Sequence, residues 1–217
     1  KDGFIPETIA ETTPNGQALD PEAEYIRLKE IIAETEAENE SEETVVALTE
    51  EVVTRLQKRG YEPTEKRVAG TVGRLKAKRL REVMAQAGTD RAKELGWPNT
   101  YTYTKALAEM LTKSRYPNLR HTVLRPAIVE SALSFPFPGW NEGFNTSGPL
   151  IYLAGTWFRH IPAKAGNPLD IIPVDLVVNG IFVAGAAVMR GEHAEVYQTG
   201  SSDRAFLPID RLTELSA

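Results

Sequence analysis

The sequence lacks several features that would point to common classes of site. It contains no cysteine, which excludes disulfide bonds and thiolate metal sites. Its histidines are far apart and lack the spacing of metal ligands; they are His121, His160 and His193. No apolar run reaches the length of a membrane span, and no signal peptide opens the chain. We therefore expect a cytoplasmic protein without a metal site, with peripheral membrane contact as an open alternative.

The charge balance is also informative. The 217 residues include 30 acidic and 25 basic side chains, which gives a net charge of −5. An acidic molecule of this kind is not a general electrostatic binder of nucleic acid. We expect no nucleic-acid partner.

The chain changes character near residue 96. Before that point it is charged, poor in aromatic residues and helical in its apolar period. Asp20 followed by Pro21 predicts a helix start, Gly60 predicts the end of a second helix, and Thr64 predicts the cap of a third. We expect three segments: a loop over residues 1–19, a charged helical insertion over 20–95, and an α/β part over 96–217.

Charge is segregated within the helical segment. Residues 20–52 are dominated by glutamate, and residues 54–82 are rich in arginine and lysine. One interpretation is that two solvated helix faces attract one another. The other is that the basic stretch forms a patch for a phosphorylated ligand, such as the phosphates of a coenzyme.

Helical and strand-like patterns alternate after residue 96. Helices are predicted over 101–114, 150–159 and 177–189, and strands over 121–126, 170–175 and 195–200. The last helix is apolar nearly all round and is predicted to be buried, with Asp175 as its cap. The alternation indicates a layered α/β fold in which a parallel sheet is expected.

Tyr101 and Lys105 form the most informative pair in the chain. Four residues apart on a helix, they share one face. A neighbouring ammonium favours the phenolate form of a tyrosine, and such a tyrosine can donate its proton to a carbonyl oxygen whose carbon receives a hydride. Tyr101 could also be an ordinary packing tyrosine. Tyr103 lies on another face and is predicted to pack.

The order of the motifs resembles the extended short-chain dehydrogenase/reductases. The resemblance rests on Tyr101 and Lys105, on the strand ending in Arg125-Pro126-Ala127-Ile128-Val129, and on the segment Asp170 to Asp175. The string Gly96-Trp97-Pro98-Asn99-Thr100-Tyr101-Thr102-Tyr103-Thr104-Lys105, together with Pro136-Phe137-Pro138-Gly139-Trp140, looks like the fatty acyl-CoA reductases, or male-sterility family. The resemblance is good over residues 96–203, fair for Gly3-Phe4-Ile5-Pro6 and poor through the charged helices.

This resemblance implies an NADPH-dependent reduction of a long-chain fatty acyl-CoA to an aldehyde or an alcohol. It implies that Tyr101 is the general acid, and that Lys105 binds the nicotinamide ribose and activates the tyrosine. The segment that passes the nicotinamide consists of Pro126, Ala127, Ile128 and Val129. The residues implied at the entrance for the acyl chain, within the loop 134–145, are Phe135, Phe137 and Trp140.

The sequence departs from that family in two places. It has no G-x-x-G-x-x-G turn for the cofactor pyrophosphate, and the serine or threonine that polarises the substrate carbonyl is missing. The first residues, Lys1 to Pro6, lack a methionine and read like the interior of a loop. We therefore expect a middle segment of a longer protein, with part of a Rossmann-like parallel sheet, which cannot turn over substrate by itself.

Two alternatives stay open. The chain could belong to another extended reductase or epimerase, which acts on a nucleotide-linked sugar or a steroid. It could also be a non-catalytic interaction module built on helices 20–88. The sequence does not determine the acyl length, the product, the choice between NADPH and NADH, or the oligomeric state.

Overall fold

The structure is a computed structural model that describes residues 6–143, 148–149, 152, 155–156, 164 and 166–215. It divides into two compact units. One comprises Ala10–Pro117, and the other comprises Lys1–Ile9 together with Asn118–Ala217. Each unit is described separately below.

The unit of residues 10–117 is helical. Its helices are α1 (Pro21–Glu40), α2 (Glu42–Lys58), α3 (Glu65–Glu94) and α4 (Thr100–Arg115). The predicted start of α1 is confirmed, because the Asp20 carboxylate accepts the N–H groups of Glu22 and Ala23. Thr64 occupies the N-cap position of α3 without a side-chain capping bond, and that helix runs unbroken for 30 residues despite its internal glycines.

Helix α4 packs with the charged helices. It contacts both α1 and α3, and its buried side carries Tyr103, Leu107 and Met110. The boundary drawn from the sequence near residue 96 therefore falls inside this unit. Apolar burial by α4, rather than the change in composition, determines the grouping.

The second unit contains two short parallel pairs of strands. Strand β1 (Val123–Pro126) pairs with β4 (Val196–Thr199), and β2 (Ile128–Glu130) pairs with β3 (Ile171–Pro173). The partner changes at Ala127, whose N–H donates to the Thr199 carbonyl at 2.8 Å, whereas the next N–H, of Ile128, donates to the Asp170 carbonyl at 3.1 Å. Short parallel strands combined with helices confirm the predicted partial Rossmann-like α/β class.

Helices α5 (Val174–Arg190) and α6 (Ile209–Leu215) belong to the same unit. Helix α5 contacts all four strands. Gly180 permits this approach, because a Cβ atom there would lie 3.3 Å from a methyl carbon of Thr199. The prediction that α5 is buried is wrong, since Phe182 and Met189 are 72% and 79% exposed. The strands cover only the face that bears Val177 and Ala184.

Three further predictions concern the same unit. The helix predicted over 150–159 and the segment Gly3–Ile5 lie mostly or wholly outside the described residues. Asp175 is not the cap of α5, because Pro173 occupies that position and Asp175 lies in the first turn. Among the described helices, none combines the length and apolar character needed to cross a bilayer.

Candidate active site

A tight turn between α3 and α4 positions the predicted catalytic helix. Gly96 follows α3 with φ +92°, a conformation that favours glycine. The rings of Trp97 and Tyr103 then pack with their centroids 5.3 Å apart. The Asn99 side chain accepts the N–H of Thr102 at 2.9 Å and caps α4. Trp97 therefore anchors this turn to the buried face of α4.

Tyr101 and Lys105 lie on the exposed face of α4. Tyr101 is 69% exposed, and the Lys105 ammonium lies 5.8 Å from the centre of its ring. The pair thus has the shared face that its spacing predicts. A substrate carbonyl can approach the phenol from solvent, and a cation stands beside the ring.

Tyr103 has the opposite environment. It is 1% exposed, and its hydroxyl donates to the buried carboxylate of Glu24. Arg91 Nε donates to the same carboxylate oxygen at 2.8 Å. Tyr103 is therefore a packing residue, as predicted from its position.

This buried cluster shifts the titration of its members. Burial raises the pKa of Glu24, but the bonds from Arg91 and Tyr103 outweigh burial and hold that pKa below 4.5. Burial, and then the bond to Glu24, raise the pKa of Tyr103. The bond to Glu24 also raises the pKa of Arg91. An ionised Glu24 and a neutral Tyr103 therefore fix α4 to α1, so that Tyr101 points away from the core.

The predicted cofactor segment borders a cavity in the other unit. This cavity has a volume of about 390 Å³. The N–H groups of Ala127 and Ile128 already donate within the fold. Besides the predicted cofactor segment, the loop before β3 and the end of β4 line the cavity. The complete lining is Arg125, Pro126, Ala127, Ile128, Pro168, Leu169, Asp170, Gln198, Thr199 and Gly200.

Asp170 organises the wall of this cavity. Its carboxylate accepts the N–H groups of Ser201 and Ser202 at 2.9 and 3.1 Å. A Cβ atom on Gly200 would lie 2.4 Å from an oxygen of that carboxylate. The lack of a side chain at position 200 therefore lets the carboxylate come this close to the chain after β4.

Val129 and Trp140 line a second cavity, also of about 390 Å³. The Trp140 carbonyl accepts the N–H of Ala132 at 2.9 Å, and the Ala132 carbonyl accepts the N–H of Gly139 at 2.8 Å. These two bonds close the loop that follows β2. The structure thus brings Trp140 to one end of the predicted cofactor segment.

Asp175 holds the start of this loop. Its carboxylate accepts the N–H groups of Leu133 and Ser134, each at 2.9 Å, and that of Phe135 at 3.2 Å. The bond from Leu133, followed by those from Ser134 and Phe135, lowers the pKa of Asp175 below 3.8. The sequence predicted only a helix cap for Asp175 and gave no signal for this contact, which spans about 40 positions.

The other predicted substrate residues lie on the surface of the loop. Phe135 and Phe137 are 76% and 58% exposed, and neither lines the two cavities described above. Among the described residues, no three acidic or histidine side chains come close enough to hold a metal ion.

Comparison with known proteins shows the family to which the chain is related. Residues 31–181 match the NAD-binding family described as Male sterility protein, so the matched range includes most of the charged helices as well as α4. The chain is 37% identical over 141 residues to a probable fatty acyl-CoA reductase 4 of Arabidopsis thaliana. It is 36% identical over 143 residues to an alcohol-forming fatty acyl-CoA reductase of Simmondsia chinensis.

A human protein that is similar to the chain is also a fatty acyl-CoA reductase. The chain is 41% identical over 110 residues to fatty acyl-CoA reductase 2 of Homo sapiens, a match that covers 49% of this chain and 21% of that protein. The two plant matches each cover 64% of this chain and 28% and 29% of the relatives. The chain thus spans less than a third of the length of the relatives it matches.

Proposed function

The chain belongs to the Male sterility protein family, and from this we propose that it is part of an NADPH-dependent reductase of long-chain fatty acyl-CoA thioesters. Tyr101 is the general acid of this reaction, and Lys105 activates it. The observation that carries the proposal is the exposed tyrosine–lysine pair on α4, inside the matched range. The product is a fatty aldehyde or, after a second reduction, an alcohol.

The proposed role of α4 is to deliver a proton. The Tyr101 hydroxyl donates its proton to the substrate carbonyl oxygen, and the ammonium of Lys105 favours the resulting phenolate. The anchoring of Tyr103 and Trp97 supports this role, because a proton donor must be held in position. NADPH, when bound, supplies the hydride.

The residues around the first cavity fit the nicotinamide end of this cofactor. The cavity lies within the volume range of small-molecule sites and is bordered by Pro126, Ala127 and Ile128. The N–H groups of Ala127 and Ile128 already donate to backbone carbonyls of the fold. The nicotinamide carboxamide would therefore be held by other groups of this segment, which extends to Val129. Nothing in the sequence supplies the glycine-rich turn for the pyrophosphate.

The loop after β2 is the proposed border of the acyl site. Its exposed rings, Phe135 and Phe137, and the half-buried Trp140 offer apolar surface of the kind that contacts an acyl chain. The bonds to Asp175 hold the start of this loop in place. This apolar composition favours an acyl substrate over a nucleotide-linked sugar.

The test is acyl-CoA-dependent oxidation of NADPH by the full-length protein that carries these residues. Tyr101→Phe should lower kcat/KM by about 10²–10⁴-fold, the usual contribution of a general acid. Tyr116→Phe is the control, because it removes another exposed hydroxyl next to the end of the same helix. Residues 1–217 alone should show no turnover, because they lack the pyrophosphate-binding turn.

Two results would count against the proposal. Unchanged kcat/KM in Tyr101→Phe would remove Tyr101 from the chemistry. A rate that does not depend on acyl-chain length would favour a different extended reductase.

A further inference from the structure

A basic cavity lies between α2 and α3, within the helical unit. It has a volume of about 670 Å³. Five basic side chains line it, one from α2, one from the C-cap residue of that helix and three from α3: Arg55, Arg59, Arg74, Lys78 and Arg81. No carboxylate is among its lining residues in the described part of the chain.

The spacing of these residues brings their charges together. Arg55 lies in the last turn of α2 and Arg59 is the C-cap residue four positions later, while Arg74 and Lys78 are four residues apart on α3 and share a helix face. Like charges at this spacing destabilise a helix. These like charges face one cavity from both sides. All five side chains are exposed, so water screens part of their repulsion, and an anion in the cavity would relieve the rest.

The other basic face of α3 is neutralised. Lys76 binds Glu40, and Arg79 binds Glu38 at 2.9 Å, so these cations pair with glutamates of α1. In the cavity, Lys78 has a distant partner, 3.6 Å away on its own helix. Among the described residues, the four arginines of the cavity make no ion pair. Mutual attraction of the two charge runs therefore accounts for one face of α3, and within the described residues it leaves the arginines of the other face without an ion pair.

The cavity also has an apolar floor and an aromatic edge. Val52 is fully buried beneath it, with Leu56 and Leu75 alongside. Gly60, with φ +74°, turns the chain so that the N–H of Tyr61 donates to the Leu56 carbonyl at 3.0 Å. The ring of Tyr61 is thereby brought to the edge of the cavity, where it is 55% exposed.

We propose that this cavity binds a phosphorylated ligand of nucleotide size. Guanidinium groups match phosphate oxygens in a two-pronged geometry, and an exposed tyrosine ring is a surface on which a base can stack. The volume falls within the range of small-molecule sites. The inference does not depend on the proposed reductase activity, because its evidence lies entirely in α2, α3 and the turn between them.

Calorimetric titration of the full chain tests the proposal with three probes: coenzyme A, ADP and inorganic pyrophosphate. The nucleotides should bind more tightly than pyrophosphate, and affinity should fall as salt screens the charges. Arg55→Gln combined with Arg81→Gln should weaken nucleotide binding about a hundredfold, at roughly tenfold per charge-assisted contact. Whichever of coenzyme A and ADP binds with the higher affinity identifies the kind of nucleotide that supplies the phosphates.

The matched control is Lys58→Gln combined with Lys66→Gln. It removes the same charge from the same two helices at exposed positions outside the cavity. Circular dichroism confirms that both double variants keep their helices. An equal loss of binding in both double variants, or none in the arginine pair, would overturn the proposal. So would equal affinity for pyrophosphate and ADP, or binding only to phosphatidylserine vesicles.

Discussion

Replacing Tyr103 by phenylalanine separates the structural tyrosine of α4 from the proposed catalytic one. The substitution removes one hydroxyl and keeps the ring that packs on Trp97. The lost bond is made to an ionised, buried carboxylate, and such bonds contribute about 1.5–3 kcal/mol. Because Glu24 keeps both of its bonds from Arg91, we expect a loss of about 2 kcal/mol in the free energy of unfolding, near the lower end of that range.

Urea denaturation followed by far-ultraviolet circular dichroism measures this loss. With a slope of about 2 kcal/mol per molar urea, the midpoint should fall by about 1 M. Tyr101→Phe is the matched control, because its exposed hydroxyl should change stability by less than about 0.5 kcal/mol. Equal midpoints for the two variants would refute the assignment of Tyr103 to the buried cluster.

The same comparison has a pH dependence. The folded-state pKa of Glu24 lies below 4.5, so its stabilising effect is complete above pH 4.5 and is lost as pH falls through the folded-state pKa. The stability difference between wild type and Tyr103→Phe should therefore shrink below that pH. A difference that stays constant down to acid unfolding would show that the carboxylate is not the partner of the hydroxyl.

Two further substitutions test the turns that hold the proposed site. Gly96→Ala should destabilise the helical unit by about 2 kcal/mol or more, because φ is +92° and a Cβ atom would lie 2.3 Å from Asn15 Oδ1. Thermal unfolding measures this loss of stability, and an unchanged Tm would contradict the prediction. Asp175→Asn should speed hydrogen exchange at the amides of Leu133 and Phe135 at neutral pH. In the wild type the protection of these two amides should fall only as pH drops below 3.8, because the carboxylate stays ionised above that value. Equal protection of the amides in both proteins at neutral pH would contradict this prediction.

Local signals in the sequence predicted helices α1 to α5, but they missed α6 and the separate strand β2. Asp20 with Pro21 marked the start of α1, and the spacing of Tyr101 and Lys105 gave their shared face. These features depend on residues within one or two turns of each other, where geometry follows from helical periodicity.

Contacts between distant residues were not predictable in the same way. Arg91 and Tyr103 meet Glu24 across 67 and 79 positions of the chain, and nothing in the pattern around Glu24 distinguishes it from its solvated neighbours. Asp175 reaches a loop about 40 positions earlier, where its carboxylate accepts backbone N–H groups instead of capping α5. The exposure of Phe182 depends on which faces of α5 find neighbours, and that is a property of packing rather than of composition.

The exchange of partners at Ala127 has a consequence for how the strands come apart. A two-stranded ladder is marginally stable by itself in water, and the described part of this unit has two of them. One uninterrupted stretch of backbone, residues 123–130, serves as an edge for both ladders. Detaching β3 therefore frees one end of the segment that β4 needs, so the two ladders should melt as a single cooperative event.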